Sequence, residues 1–218
     1  MTSRFSVPRI YEGETAVCIA SGPSLSDADV AFVREMQKAG KCRVFVCNNN
    51  YLKAPDADVL FFCDYTFWVW HASKPEFQAF KGTKITMSTD IGTEPDINVI
   101  GIDAPEGLSF EADRLRTGGN SGYMQVNLAF LYGCKRVLLL GYEMQPKRIV
   151  DVDGKETIRT HWFGSHPAPT SPAWFPQVVG YFETMIPDLE RAGLQVINCS
   201  EPSAINCFPK SNIREELK

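Results

Sequence analysis

Two short stretches carry residue types suited to holding a phosphate. In "IASGPSLSD" (19–27) an apolar run stops at Ser21, Gly22, Pro23 and Ser24 before a helix start marked by Ser26, Asp27 and Asp29. In "TGGNSGYM" (117–124) paired glycines precede Asn120, Ser121 and Gly122 at the head of another helix-length segment. A glycine turn between strand and helix lets the main chain approach a ligand, and the first amides of a helix suit an anion. Each stretch also has a plainer reading: a turn capped by Ser24 or Ser26, and a loop capped by Asn120 or Ser121.

Other polar residues fall after apolar runs. Asn48, Asn49 and Asn50 follow the second run, Asp64 the third, and Gly141 and Glu143 the sixth. His161 and His166 stand together in "THWFGSHP" (160–167), and an imidazole with a pKa near 6.5 can take a hydroxyl proton near neutral pH. The bland alternative is a structural loop whose Trp162 and Phe163 pack on the core. "DVDG" (151–154) invites a metal reading through paired carboxylates, but "RIVDVDGKETIR", with Asp-Gly at its centre, reads better as a β-hairpin over 148–160. Phe61, Phe62, Phe67, Trp68 and Trp70 read as core or as an apolar wall beside a ligand; Arg114 and Arg116 as a solvated pair or a phosphate clamp; Asn198 and Ser200 as residues near the edge of the site.

The elements that must position these residues are legible from periodicity. Strand-like runs occur at 15–20, 42–47, 58–63, 84–88, 97–102, 136–141 and 194–199, with helix-length segments at 27–39, 121–132 and 173–192. This alternation predicts an α/β fold: a single Rossmann-like domain over 1–218, with a mainly parallel, doubly wound sheet and helices on both faces. Prolines 146, 167, 169 and 172 mark residues 145–172 as a long lid loop or hairpin insertion. In such a sheet ligands sit outside the carboxyl ends of the strands, where the polar residues above gather.

The composition is that of an ordinary globular protein: 218 residues, 44% hydrophobic, 22% charged, net charge −4. That charge offers no field for duplex nucleic acid, although a local patch can hold one phosphorylated ligand. Seven cysteines without a CxxC pair suggest a reduced, cytoplasmic core, and the absence of an apolar run of membrane length predicts no membrane span.

"GPSL" after the first run, "CNNNY" after the second, and "SGYMQVNLAFLYGCKRVLLLGYEM" (121–144), with glycines at 122, 133 and 141, resemble the bacterial sialyltransferases that use CMP-sialic acid. The resemblance spans roughly residues 15–64 and 115–200. The "GPSL" opening is also similar to that of the archaeal 6-hydroxymethylpterin diphosphokinases and of small proteins of bacterial viruses. It implies a nucleotide site in which Gly22, Pro23 and Ser24 turn past the phosphates, Asn48 bonds the nucleotide, and Ser121 and Gly122 offer donors to it. Two positions depart from the family. Its asparagine before the turn glycine is Ser21 here, and its asparagine after the third strand is Asp64, an acid that repels a phosphate unless a cation or sugar hydroxyl intervenes. The family's "H-x-x-G-H" base motif matches "HWFGSH" with Ser165 inserted, so the implied general base is His166, with His161 as its competitor.

The expected function is therefore transfer of a sugar from a nucleotide-activated donor, a CMP-sugar under the resemblance, by direct displacement with a histidine base. No cofactor or metal is required. The alternatives are a diphosphokinase, which needs magnesium on Asp64, Glu143 or Asp151, and a non-catalytic nucleotide-binding protein. The expected partner is a nucleotide-activated small molecule. The short chain favours a small acceptor or one supplied across a homo-oligomer interface.

Overall fold

The strands are apolar on both faces because both faces are covered. In β1 (Thr15–Ile19), β2 (Arg43–Cys47) and β3 (Val59–Phe62), side chains alternate between two cores. Ala16, Cys18, Phe45, Cys47 and Phe61 face one core, and Val17, Ile19, Val44, Val46 and Phe62 the other. The computed structural model describes residues 4–92, 94–150, 153–164 and 174–218.

In chain order, α1 (Asp27–Lys38) joins β1 to β2, and a 3-10 turn (Asn48–Leu52) leads to β3. Then come α2 (Tyr65–His71), α3 (Pro75–Ala79), β4 (Thr83–Thr86), β5 (Ile97–Val99), β6 (Gly101–Ile102), β7 (Arg114–Leu115), α4 (Ser121–Leu131) and β8 (Arg136–Leu140). The hairpin β9 (Lys147–Val150) and β10 (Glu156–Arg159) precedes α5 (Trp174–Thr184), α6 (Ile186–Ala192), β11 (Gln195–Asn198) and α7 (Ile213–Glu216). Among the described residues seven strands form one parallel sheet in the order β11-β8-β1-β2-β3-β4-β5. The expected Rossmann-like α/β fold is present. From β1 the chain proceeds one way through β2 to β5, then returns to lay β8 on the other side of β1. The strand order thus reverses at β1, and the crevice at its carboxyl end is the switch point where ligands bind in such sheets.

Local chemistry sets the helix starts. The Ser26 hydroxyl accepts from the Asp29 amide at 3.0 Å at the head of α1, and the Asn120 side chain accepts from the Tyr123 amide at 2.9 Å at the head of α4. Helix α4 is buried from Gly122 to Leu131 and forms the centre of one core.

Two sequence expectations are corrected. The run 97–102 is two strands: β5 ends at Val99, and Gly101–Ile102 pairs with β7 in a separate two-stranded sheet. Gly101 permits this, since a Cβ there would lie 2.9 Å from the Asp113 carbonyl oxygen. The helix expected over 173–192 breaks between α5 and α6, where Pro187 in the first turn of α6 has no N–H to continue a helix. Between β3 and β4 the chain also forms the short helices α2 and α3, which hold Phe67 and Phe77 in the second core, while Trp70 stays 41% exposed. The Asp153-Gly154 hairpin is present, with Gly154 at φ +77°.

Candidate functional site

The carboxyl edge of the sheet opens into a cleft of about 920 Å³. Ser21, Gly22 and Pro23 line it after β1, Asn48 and Asn49 after β2, Asp64 after β3, and Asn120, Ser121 and Gly122 at the start of α4. His161 lines it from the segment after β10. His166 and Asp151 lie outside the described residues.

The pieces of the cleft contact one another. Asn48 Nδ2 donates to Ser121 Oγ at 3.3 Å across 73 positions of sequence, and Ser121 Oγ lies 3.0 Å from Cys63 Sγ. Burial pushes the Cys63 thiol well above its usual range, so it stays protonated as a neutral hydrogen-bonding partner. Asn48 Oδ1 is sealed from solvent with no hydrogen-bond partner among the described residues. The two non-glycine residues with left-handed backbone among the described residues, Asn48 (φ +49°) and Met144 (φ +47°), both line the cleft. Such conformations cost roughly 1–2 kcal/mol for an L-residue and gather at functional sites. Gly118 and Gly119, also left-handed, turn the chain into α4.

The run of three asparagines divides by role. Asn49 faces the cleft beside Asn48, whereas Asn50 is fully buried and structural. Its Nδ2 donates to Cys47 O at 2.9 Å, Ile19 O at 3.1 Å and Ser21 Oγ at 3.1 Å, tying the ends of β1 and β2 together. Its Oδ1 accepts from Trp162 Nε1 at 2.8 Å.

Gly22 is needed for a reason the sequence did not expose. Its N–H donates to Gly141 O at 2.9 Å, and a Cβ there would fall 1.3 Å from Glu143 Oε2 and 2.5 Å from Gly141 O. Protein, rather than a ligand phosphate, occupies the space left by its missing side chain. Ser24 and Glu143 form a pair beneath the turn: the Ser24 hydroxyl donates to Glu143 Oε1, and both line a separate pocket of about 240 Å³ beside Pro23. Glu143 is 2% exposed, and burial raises its carboxyl to about 7 against partial relief from the amides of Glu143 and Ser24 and from Lys147.

His71 escaped the sequence reading, yet it lines the cleft from α2. Its Nδ1 lies 2.7 Å from the Tyr51 hydroxyl and its ring stacks on Phe67 at 4.3 Å. Burial, and then Lys74, lower its imidazole to about 4, so it is neutral near pH 7. No local pattern marked it, because its position depends on α2 folding across the ends of β2 and β3. Phe67 and Trp70 also reach the cleft wall.

Arg114 and Arg116 pair with Asp113 at 3.2 Å and Asp103 at 3.4 Å, outside the cleft. Asn198 and Ser200 are buried braces rather than edge residues: the Tyr142 amide donates to Ser200 Oγ at 2.7 Å, and Asn198 Nδ2 donates to Ser203 Oγ at 2.9 Å. All seven cysteines are free. No group of three or more His, Cys, Asp or Glu placed to hold a metal ion occurs among the described residues, and no helix among them is long and apolar enough to cross a membrane.

No family model and no curated sequence matches the chain. Two solved structures share its architecture. The MAf glycosyltransferase from Magnetospirillum magneticum AMB-1 superposes with a TM-score of 0.61 at 14% identity, over 97% of this chain and 36% of that one. The sialyltransferase CstII from Campylobacter jejuni, solved in complex with a substrate analogue, cytidine-5'-monophosphate, superposes with a TM-score of 0.55 at 11% identity, over 93% of this chain and 86% of that one. The likeness is one of fold. This chain spans only about a third of the MAf protein.

Proposed function

We propose that this chain is a glycosyltransferase-like enzyme that moves a sugar from a nucleotide-activated donor, with CMP-sugars as the favoured class. The observation that carries the reading is the Asn48–Ser121 contact at the mouth of α4: a carboxamide, a hydroxyl and helix-terminal amides converge where the strand order reverses. The fold shared with a glycosyltransferase and with a CMP-complexed sialyltransferase supports it. In the reaction an acceptor hydroxyl oxygen bonds the anomeric carbon, the bond from that carbon to the phosphate oxygen breaks, and the nucleoside monophosphate leaves with the bonding pair. The hydroxyl proton passes to His161 or His166. A monophosphate leaves with less charge than a diphosphate, so this chemistry needs no metal.

The test is a thermal-shift series with CMP, UMP, GDP, UDP and ATP, with and without magnesium, followed by turnover of the CMP-sugar donor. CMP should stabilise the protein without metal. His161→Ala or His166→Ala should lower turnover by about 10²–10⁴-fold with CMP affinity retained, because a general base acts in the transition state. Preference for ATP with magnesium would favour phosphoryl transfer, and no stabilisation by any nucleotide would refute both readings.

A further inference from the structure

His161 reaches the cleft on a short turn, and its neighbour Trp162 ties that turn to the body with two hydrogen bonds. Trp162 N–H donates to Ser21 O at 2.9 Å, on the turn after β1, and its indole Nε1–H donates to Asn50 Oδ1 at 2.8 Å, on the buried carboxamide that joins β1 to β2. Lys53 lies over the indole, 4.2 Å from its centre, and is itself ion-paired with Asp27. Inside the turn, the Gly164 amide donates to His161 O at 3.1 Å, Phe163 stacks on the His161 ring at 4.9 Å, and the Thr160 hydroxyl lies 2.8 Å from His161 Nδ1. The preceding hairpin gives little support, since Val150 and Ile158 are 58% and 65% exposed and an isolated two-stranded hairpin is marginal in water.

We propose that Trp162 is the positioning residue of this site: its two N–H donors fasten the His161 turn to Ser21 and Asn50, and so set the imidazole over the cleft. This rests on the reading of His161 as a candidate base. The choice of residue follows from the geometry. Phenylalanine would fill much of the same space but offers no donor to Asn50 Oδ1, and leucine or methionine would lose the stack under Lys53 as well. The coupling also links the base to the nucleotide turn, because Asn50 binds Ser21 Oγ while Trp162 binds Ser21 O.

The experiment combines two measurements. Hydrogen exchange in wild-type protein should show the Trp162 indole proton exchanging far more slowly than in denatured protein. Proton–carbon NMR of histidine-labelled, nucleotide-free protein, assigned with His161→Gln, should show the His161 imidazole signal and its titration shifted in Trp162→Phe, with the His71 signal unmoved. Where CMP-sugar turnover is measurable, Trp162→Phe should lower kcat by about 10–100-fold with the donor KM within about threefold, the pattern of a misplaced catalytic group. An indole proton exchanging at the denatured rate overturns the proposal, as does an unchanged His161 signal in folded Trp162→Phe. If that variant fails to fold, the wild-type exchange measurement decides. If the protein binds no nucleotide, the functional reading falls while both spectroscopic measurements still decide the role of Trp162.

Discussion

Gly22→Ala tests whether the turn after β1 is shaped by the protein itself. The new Cβ would lie 1.3 Å from Glu143 Oε2, 2.5 Å from Glu143 Cδ and 2.5 Å from Gly141 O, all well inside ordinary van der Waals contact. The Glu143 side chain can rotate away only by leaving Ser24 and a pocket in which it is 2% exposed. The Gly141 carbonyl cannot retreat easily, because it accepts the Gly22 amide at 2.9 Å and follows directly on β8. Overpacking of this kind costs about 1–3 kcal/mol, and a clash with backbone as well as side chain points to the upper end. For a chain of this size about 3 kcal/mol corresponds to a fall in melting temperature of roughly 6–12 °C. Circular dichroism melts of wild type, Gly22→Ala, Glu143→Ala and the double variant measure it. Removing the Glu143 side chain relieves two of the three contacts, so the double variant should recover about 1–2 kcal/mol of the loss, a coupling typical of residues in contact. A Gly22→Ala protein melting within about 2 °C of wild type, or showing no coupling to Glu143, would refute the reasoning.

Glu143 should also give the protein a measurable pH dependence. Its folded pKa, raised to about 7, exceeds its unfolded value, so the folded state binds the proton more tightly. Its stabilising contribution is complete below the unfolded pKa and is lost as pH rises towards 7, by up to about 3 kcal/mol. Urea unfolding of wild type and Glu143→Gln between pH 4.5 and 8 should show the wild type losing stability relative to the variant over that window; parallel curves would contradict the assignment. Asn48→Ala should weaken CMP binding about tenfold by calorimetry, equal to one lost hydrogen bond of about 1.4 kcal/mol, and unchanged affinity would remove Asn48 from the site. It should also destabilise the protein by about 1 kcal/mol in denaturant titrations, since alanine tolerates the left-handed backbone at position 48 less well than asparagine.

Local patterning was enough for the layered α/β architecture, for helix starts near Ser26 and at Asn120 or Ser121, and for the gathering of Ser21, Asn48, Asp64 and Ser121 at one edge. Strand periodicity and capping are local, and a parallel sheet with covered faces obliges every strand to end at the same side. What each polar residue does there follows from long-range packing. Asn48 and Asn50 are two positions apart, yet one faces the cleft and the other locks β1 to β2, because the 3-10 turn rotates them onto different surroundings. Glu143 looked like a ligand-binding acid and proved to be a buried partner of Ser24, 119 positions away. Trp162 packs on the second core, as its plainer reading has it, and in addition donates to Asn50 across 112 positions. Gly22 announced a close approach, but only the return of β8 alongside β1 showed that Glu143 and Gly141 make it. Whether a polar atom meets water, a ligand or a buried partner depends on chain segments far away in sequence, and composition and spacing carry no record of those distances.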